Sequence, residues 1–357
     1  MARWDASQPA ARTCRSAAAQ RAGAGHSTVD ELAVLTPSFR GDAALFADLH
    51  ESVLANTGPS VVHHVVVPPS DAHLFQPYEG HRCRVWTHRD LLPRYCVSVP
   101  RGAGLTVNLR RPWPPVRGWV TQQVMKMAGT AAIDARAVLI IDSDAVLLRE
   151  PTLDEFVHNG HLWHFRKDGA VTADMHRHLK WHNVARKLLR VPGTVAAPAP
   201  DYVSPITVWD PAVVRSLMEH IADCTGRGWI DAVSGELHVS EFVLYGVFVD
   251  HVFGDMAAFD GPLCHNYYER VPLSPADGNA FADQMPSNAL GAMISSHSKT
   301  PDDVRRATFH QCALNVEGRP SLASSEAQSP DRHRFWDVRC VDAAMLLVQA
   351  STFACLA

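Results

Sequence analysis

Apolar residues along this chain fall into short continuous runs, separated by stretches in which they recur at helical spacing. Leu32-Ala33-Val34-Leu35 is an uncharged run ending in Thr36-Pro37-Ser38, and it reads as a buried parallel strand followed by a loop. From Ala43 to Asn56, Leu45, Phe46, Leu49, Val53 and Leu54 take the spacing of a helix. Val61 to Val67 is a second strand, stopped by Pro68-Pro69, and Arg82 to Thr87 a third. Residues 91–118 hold five prolines, which predicts loop. Trp119 to Ile133 reads as a helix with Val120, Val124, Met127 and Ala131 on one side. Ala137 to Ile141 is the strongest buried strand, and it runs straight into Asp142-Ser143-Asp144.

The second half is more mixed. Its pattern predicts a strand over His161 to Phe165, a helix over Met175 to Leu189 and a surface loop over Gly193 to Pro200. A strand over Tyr202 to Trp209 and a helix over Val213 to Cys224 follow, and Ser240 caps a helix running to Phe248. Strand, helix, strand, helix, strand is the order of an α/β protein with a mainly parallel sheet flanked by helices. Such sheets bind ligands beyond the carboxyl ends of their strands, where Thr36-Pro37-Ser38 and Asp142-Ser143-Asp144 both sit. Residues 1–26 read as a disordered tail, 27–320 as a single catalytic domain, and 321–357 as a polar loop plus a C-terminal helix.

Charge and composition narrow the classes. With 33 basic and 37 acidic residues the net charge is −4, and no basic footprint marks a nucleic-acid partner. Mean hydropathy is −0.09, and no uncharged apolar run reaches the ~18 residues of a membrane span, so no transmembrane segment is expected. The eight cysteines form no C-x-x-C pair and read as reduced, mostly buried thiols of a cytoplasmic protein. Among 20 histidines, the pairs His161/His164 and His178/His182 have clip spacing, but no Cys or carboxylate nearby completes a metal set. They read as dispersed surface histidines.

The aspartates carry the chemistry. Two carboxylates delivered one residue apart at the end of a buried strand repel each other, and a divalent cation relieves that repulsion. Mg²⁺ or Mn²⁺ favours one or two carboxylates plus phosphate oxygens. Val138 to Val146, with its D-S-D, resembles the D-x-D segment of GT-A nucleotide-sugar glycosyltransferases. The chain is also similar to a poorly characterised bacterial family of predicted glycosyltransferases. The similarity lies in Thr36 to Asp42, Gly118 to Lys126, the D-S-D, Asp201-Tyr202-Val203 and Ser240 to Gly246.

That resemblance implies a GT-A-like, Rossmann-related fold and a metal-dependent transfer of sugar from a nucleoside-diphosphate donor to an unknown glycan or small-molecule acceptor. It makes Asp144 the direct ligand of Mn²⁺ or Mg²⁺, with Asp142 touching the metal or the ribose and His297 as a third ligand. It places Thr36, Pro37, Ser38, Arg40, Gln122, Gln123, Lys126, Asp142, Ser143 and Lys299 around the donor. Asp42 reads as a helix N-cap. Glu241, with Tyr245 on the same helix face, is the candidate to orient the acceptor hydroxyl or accept its proton. Three other readings stand beside this one: a nucleotidyltransferase, a noncatalytic sugar-nucleotide binder with the same fold, and a scaffold whose aspartates only make a turn. The loop after Leu35 holds only Gly41, which is poor in glycine for a nucleotidyltransferase.

Overall fold

The computed structural model describes residues 30–99, 105–254 and 256–317. The tail expected over 1–26 and the loop and helix expected over 321–357 lie outside them. Strand β1 (Asp30–Pro37) leads into helix α1 (Ala43–Asn56), then β2 (His63–Val67) and β3 (Cys83–Thr87). A small antiparallel sheet follows, built of β4 (Cys96–Ser98), β5 (Thr106–Asn108) and β6 (Arg111–Val116). Next come α2 (Gly118–Ala132), β7 (Ala135–Ile141) and β8 (Ala145–Leu147). The second half supplies α3 (His176–Leu188), β9 (Ile206–Trp209), α4 (Pro211–Thr225) and α5 (Glu241–Phe248). It ends with β10 (Cys264–Tyr267), α6 (Pro275–Asp283), β11 (Gly291–Ile294) and α7 (Asp302–Glu317).

The main sheet has the order β9-β7-β1-β2-β3, with β9 antiparallel to β7 and the other pairings parallel. It is the mixed, mainly parallel α/β arrangement that the hydrophobic pattern predicts. β1 and β7 lie inside it, and both of their faces are covered, which is why they read as uninterrupted apolar runs. Leu32, Val34 and Leu139 on one face join Leu49 and Val53 of α1. Ala33, Leu35, Val138 and Ile140 on the other join Val124, Met125 and Met127 of α2. Each such Leu, Val, Ile or Met side chain, fully buried, contributes about 1.5–3 kcal/mol. A second sheet of order β10-β11-β8 holds the strand that follows the D-S-D against β11.

Several expectations are corrected. Residues 91–118 are not all loop: β4, β5 and β6 occupy much of the stretch. Pro112, Pro114 and Pro115 fall in β6, an edge strand, where a missing N–H breaks no ladder. The surface loop over 193–200 ends in a short strand, Ala199–Asp201, paired with Lys167–Val171. The strand expected from Tyr202 begins only at Ile206. His178 and His182 are buried in α3 rather than dispersed on the surface.

Candidate active site

β1 and β7 run parallel with Leu35 beside Ile140, so their carboxyl ends lie together. The chain winds from β1 to β2 on one side, and β7 returns on the other. The gap between β1 and β7 is therefore a topological switch point, the place where open α/β sheets bind ligands. The loop after β1 and the D-S-D after β7 meet there. Ser143 Oγ donates to the Pro37 carbonyl and to Asp42 Oδ2, at 3.4 Å each. Asp42 stands at the N-cap position of α1, yet its carboxylate caps no helix N–H and turns to Ser143 instead. Burial, and next the charge of Asp144, raise the Asp42 pKa to about 7. Burial and the charge of Asp142 raise Asp144 to about 6.

β11 brings a third segment to the same place. The Ser296 N–H donates to Asp144 Oδ2 at 2.9 Å. Arg305 of α7, buried, donates to the Asp144 carbonyl at 3.2 Å and to the Ile294 carbonyl, tying the D-S-D loop to the end of β11. Asp201 and Tyr268 border the same cluster. Burial raises Asp201 to about 6. Burial and the charges around it, those of Asp142, Asp201 and Asp144 among them, push the Tyr268 hydroxyl well above its usual range.

Behind Asp142 lies a buried ion pair. α2 is buried nearly all round, between β1, α4 and α5, and Lys126 sits inside it at 3 % exposure. Its Nζ lies 2.8 Å from Asp142 Oδ1 and 3.0 Å from Glu241 Oε1, and 4.4 Å from the Phe242 ring centroid. Burial alone would lower the lysine pKa, but Asp142 and Glu241 overcome it and hold the ammonium charged. Ser240 caps α5 by accepting the Val243 N–H at 3.4 Å, and the Glu241 N–H donates to Gln123 Oε1 at 3.2 Å. Glu241 is 0 % exposed, and its Oε2 has no hydrogen-bond partner among the described residues.

The structure sorts the residues singled out by sequence. Asp142, Ser143, Asp144, Lys126, Gln123 and Glu241 come together. Ser38 is buried at the end of β1 with its hydroxyl unpartnered among the described residues. Thr36 and Pro37 are buried too, and the Thr36 hydroxyl is hydrogen-bonded to His63 Nε2 at 3.0 Å. Arg40 is anchored by Asp71, through its Nε and its backbone N–H at 2.9 Å each, with its side chain 60 % exposed. Gln122 is half-buried on α2. His297 and Lys299 are exposed on the loop after β11, and burial with Arg270 and Lys299 lowers the His297 pKa.

Three expectations need correction here. Tyr245 belongs to the core: it stacks on Trp209 at 4.9 Å between ring centroids, and its hydroxyl accepts the Asp210 N–H at 3.4 Å. Glu241 faces Lys126 rather than a surface open to an acceptor. Among the described residues no group of three or more His, Cys, Asp or Glu side chains is gathered to hold a metal. The set Asp142, Asp144 and His297 is therefore not assembled, because Asp142 turns to Lys126 and Asp144 to Ser296. Of the two histidine pairs, His164 is held by Asp250 at 3.0 Å and His182 by the Pro200 carbonyl at 2.8 Å. The residues that sequence reasoning missed are Asp42, whose cap reading concealed it, and Asp201, which lies in a segment already noted. Ser296 lies beside His297 in a stretch the resemblance already singles out, whereas Tyr268 and Arg305 carry no local signal and come in through the second sheet and α7.

A family model described as "Family of unknown function (DUF6492)" matches residues 32–275. None of the curated proteins matches the sequence. Among solved structures, the chain is similar to apo mouse xyloside xylosyltransferase 1, at 10 % identity and a TM-score of 0.37, over 76 % of this chain and 99 % of that one. It is also similar to the apo-form glycosyltransferase GlyE of Streptococcus pneumoniae TIGR4, at 9 % identity and a TM-score of 0.38, over 80 % of this chain and 62 % of that one. A third likeness is to the galactosyltransferase LgtC in complex with donor and acceptor sugar analogues, at 12 % identity and a TM-score of 0.38, over 81 % and 97 % of the two chains. These superpositions are loose, and the fold described above rests on the strand order and registers.

Proposed function

The chain belongs to the family of unknown function DUF6492, and we propose that it is a metal-dependent glycosyltransferase acting on a nucleoside-diphosphate sugar. The observation that carries this reading is the meeting of Asp42, Asp142 and Asp144 at the β1/β7 switch point, with Lys126 fixing Asp142 from behind. Among the described residues the three aspartates are not gathered into a full ligand set, but a pair of them offers hard carboxylate oxygens, and Mg²⁺ or Mn²⁺ is commonly held by one or two carboxylates plus phosphate oxygens. Asp144, with Asp142 or Asp42, would hold it. Bound there, Mn²⁺ or Mg²⁺ supplies Lewis-acid stabilisation to a departing diphosphate.

The chain's own residues do the rest. Lys126 holds one oxygen of Asp142, and Glu241 holds Lys126, so the carboxylate is oriented before any ligand arrives. This role for Glu241 is one of positioning. The unpartnered Ser38 hydroxyl is available to a ribose or phosphate oxygen. The neighbouring Phe39 ring, 47 % exposed, offers a face to a nucleobase.

The burial of Glu241 and Tyr245 favours a second reading, a sugar-nucleotide binder without turnover, since neither expected catalytic side chain reaches a surface. The test is turnover. Purified protein with Mn²⁺ is incubated with UDP-, GDP-, CDP- and TDP-sugars, and release of free nucleoside diphosphate is followed. The transferase reading expects slow hydrolysis of one donor class, lost on chelation and in Asp144→Asn. Binding of a donor with no release, across a broad set of acceptors, would establish the second reading instead.

A further inference from the structure

The small sheet of β4, β5 and β6 reverses the usual alternation. Val97 pairs with Val107, while Cys96 and Ser98 pair with Asn108 and Thr106. The Val99 N–H donates to the Leu105 carbonyl and extends the ladder by one step. Side chains alternate across a strand, so Val97, Val99, Leu105 and Val107 share one face, and Cys96, Ser98, Thr106 and Asn108 the other. The polar face is the one turned inward. Thr106 and Asn108 are buried, the first accepting from Thr121 at 3.3 Å and the second donating to Asp231 at 2.6 Å. The aliphatic face looks outward, with Val97 and Val99 exposed and Leu105 and Val107 half-buried. An antiparallel sheet with one solvated face ordinarily turns its polar side to water.

Two more apolar side chains extend this face. Leu109, in the turn between β5 and β6, is 60 % exposed. The pairing of β6 slips between Thr106 and Asn108, and Trp113 in the slipped stretch stands 81 % exposed. Four of the ten exposed large apolar side chains among the described residues thus fall on or beside one three-stranded sheet, a clustering that marks an interaction surface.

Arginines border it. Arg94 precedes β4, and Arg110 and Arg111 follow Leu109 into β6. Asp231 answers Arg110 at 3.3 Å. Arg111 donates to the uncharged Gly235 carbonyl at 3.0 Å, and Glu236, which shares a cleft with it, is held by Lys187 at 2.7 Å. Arg94 is exposed and makes no ion pair among the described residues. Between Asp90 and Asp134 the sequence holds no acid, in a chain whose net charge is −4.

The occupant of such a face must be apolar and negatively charged at once. A second copy of the chain is not, since a symmetric contact would set this positive patch against itself with no acid to answer it. An anionic bilayer is both: its headgroups attract arginine, its acyl boundary takes aliphatic side chains, and tryptophan settles between the two. No helix among the described residues is long and apolar enough to cross a membrane, so the contact is with the surface. We propose that the outer face of β4 to β6 docks the protein on an anionic lipid surface. This stands apart from the transferase reading.

The test is co-sedimentation of the full chain with phosphatidylcholine vesicles, with and without phosphatidylglycerol. Wild type is compared with Trp113→Ser, Arg94→Gln/Arg111→Gln and Val271→Ser, the last removing an exposed apolar side chain on the loop after β10. Melting curves report that each variant is folded. The expected result is binding to the phosphatidylglycerol vesicles, little to phosphatidylcholine alone, and release by salt. Trp113→Ser weakens binding about tenfold or more, and the arginine variant about fivefold for each charge removed. Val271→Ser leaves it unchanged. Absence of any preference for the anionic vesicles, or full binding by either folded variant of the face, would overturn the proposal. So would a dimer that Trp113→Ser dissociates in a protein that binds no vesicle, which would make the face a contact between copies.

Discussion

A buried lysine between two carboxylates is tolerated only while all three charges face one another, and removing one partner leaves an uncompensated charge inside the protein. Lys126→Met therefore costs about 3–5 kcal/mol in urea unfolding, and the double variant Lys126→Met/Glu241→Gln recovers part of it. A Lys126→Met protein as stable as wild type would mean that the ion pair does not form. Asp42 is tested by pH. Its pKa is raised to about 7 in the folded chain, so the native state holds a proton that the unfolded state has released. That contribution is full below the ordinary carboxylate pKa near 4 and is lost as pH rises through about 7. Between about pH 5 and 8, wild type should lose stability relative to Asp42→Asn; parallel curves would refute the raised pKa. The D-S-D aspartates stood out in the sequence because a buried strand delivers them, whereas Lys126, expected against the donor, is buried between Asp142 and Glu241. Asp42 did not stand out, because an aspartate before a helix already has a sufficient local explanation in capping.

Two glycines show how the elements carry the site. A Cβ on Gly291 would stand 2.1 Å from the Val146 carbonyl oxygen and 2.7 Å from Ile206 Cδ1. Gly291→Ala would push β11 from β8, and with it Ser296 from Asp144. The expected outcome is a loss of about 1–3 kcal/mol in stability together with weaker Mn²⁺ binding. Gly246 of α5 lies under the Tyr202 ring, where a Cβ would meet Cδ1 at 2.2 Å. Gly246→Ala displaces the helix that carries Glu241, and should cost a similar amount. Wild-type melting in either variant would show that the contact yields freely. The long elements were readable from periodicity, α1 and β7 above all, since α1 buries one face and β7 both. β4 to β6 were hidden by prolines that an edge strand accommodates, and α6, β11 and α7 by weak amphipathic patterning.

For the molecule as a whole, a mainly parallel sheet puts its ligand site where winding reverses, and the D-S-D falls at that point between β1 and β7. Sequence order along the chain was enough to find this end of the sheet. It was not enough to find what closes it, because β11 and α7 come from beyond residue 275 and reach the D-S-D only through tertiary contacts. The most direct measurement is the binding of Mn²⁺ itself, counted from the free-ion signal in electron paramagnetic resonance at pH 7.5. Mn²⁺ is added to wild type and to Asp144→Asn, each with and without UDP, GDP, CDP or TDP. A cation-assisted diphosphate site requires that one nucleoside diphosphate tighten Mn²⁺ binding to wild type beyond what the nucleotide binds alone, and that Asp144→Asn abolish the effect. Equal Mn²⁺ uptake by the two proteins, with no nucleotide adding to it, would contradict the metal-dependent reading of the carboxylate cluster.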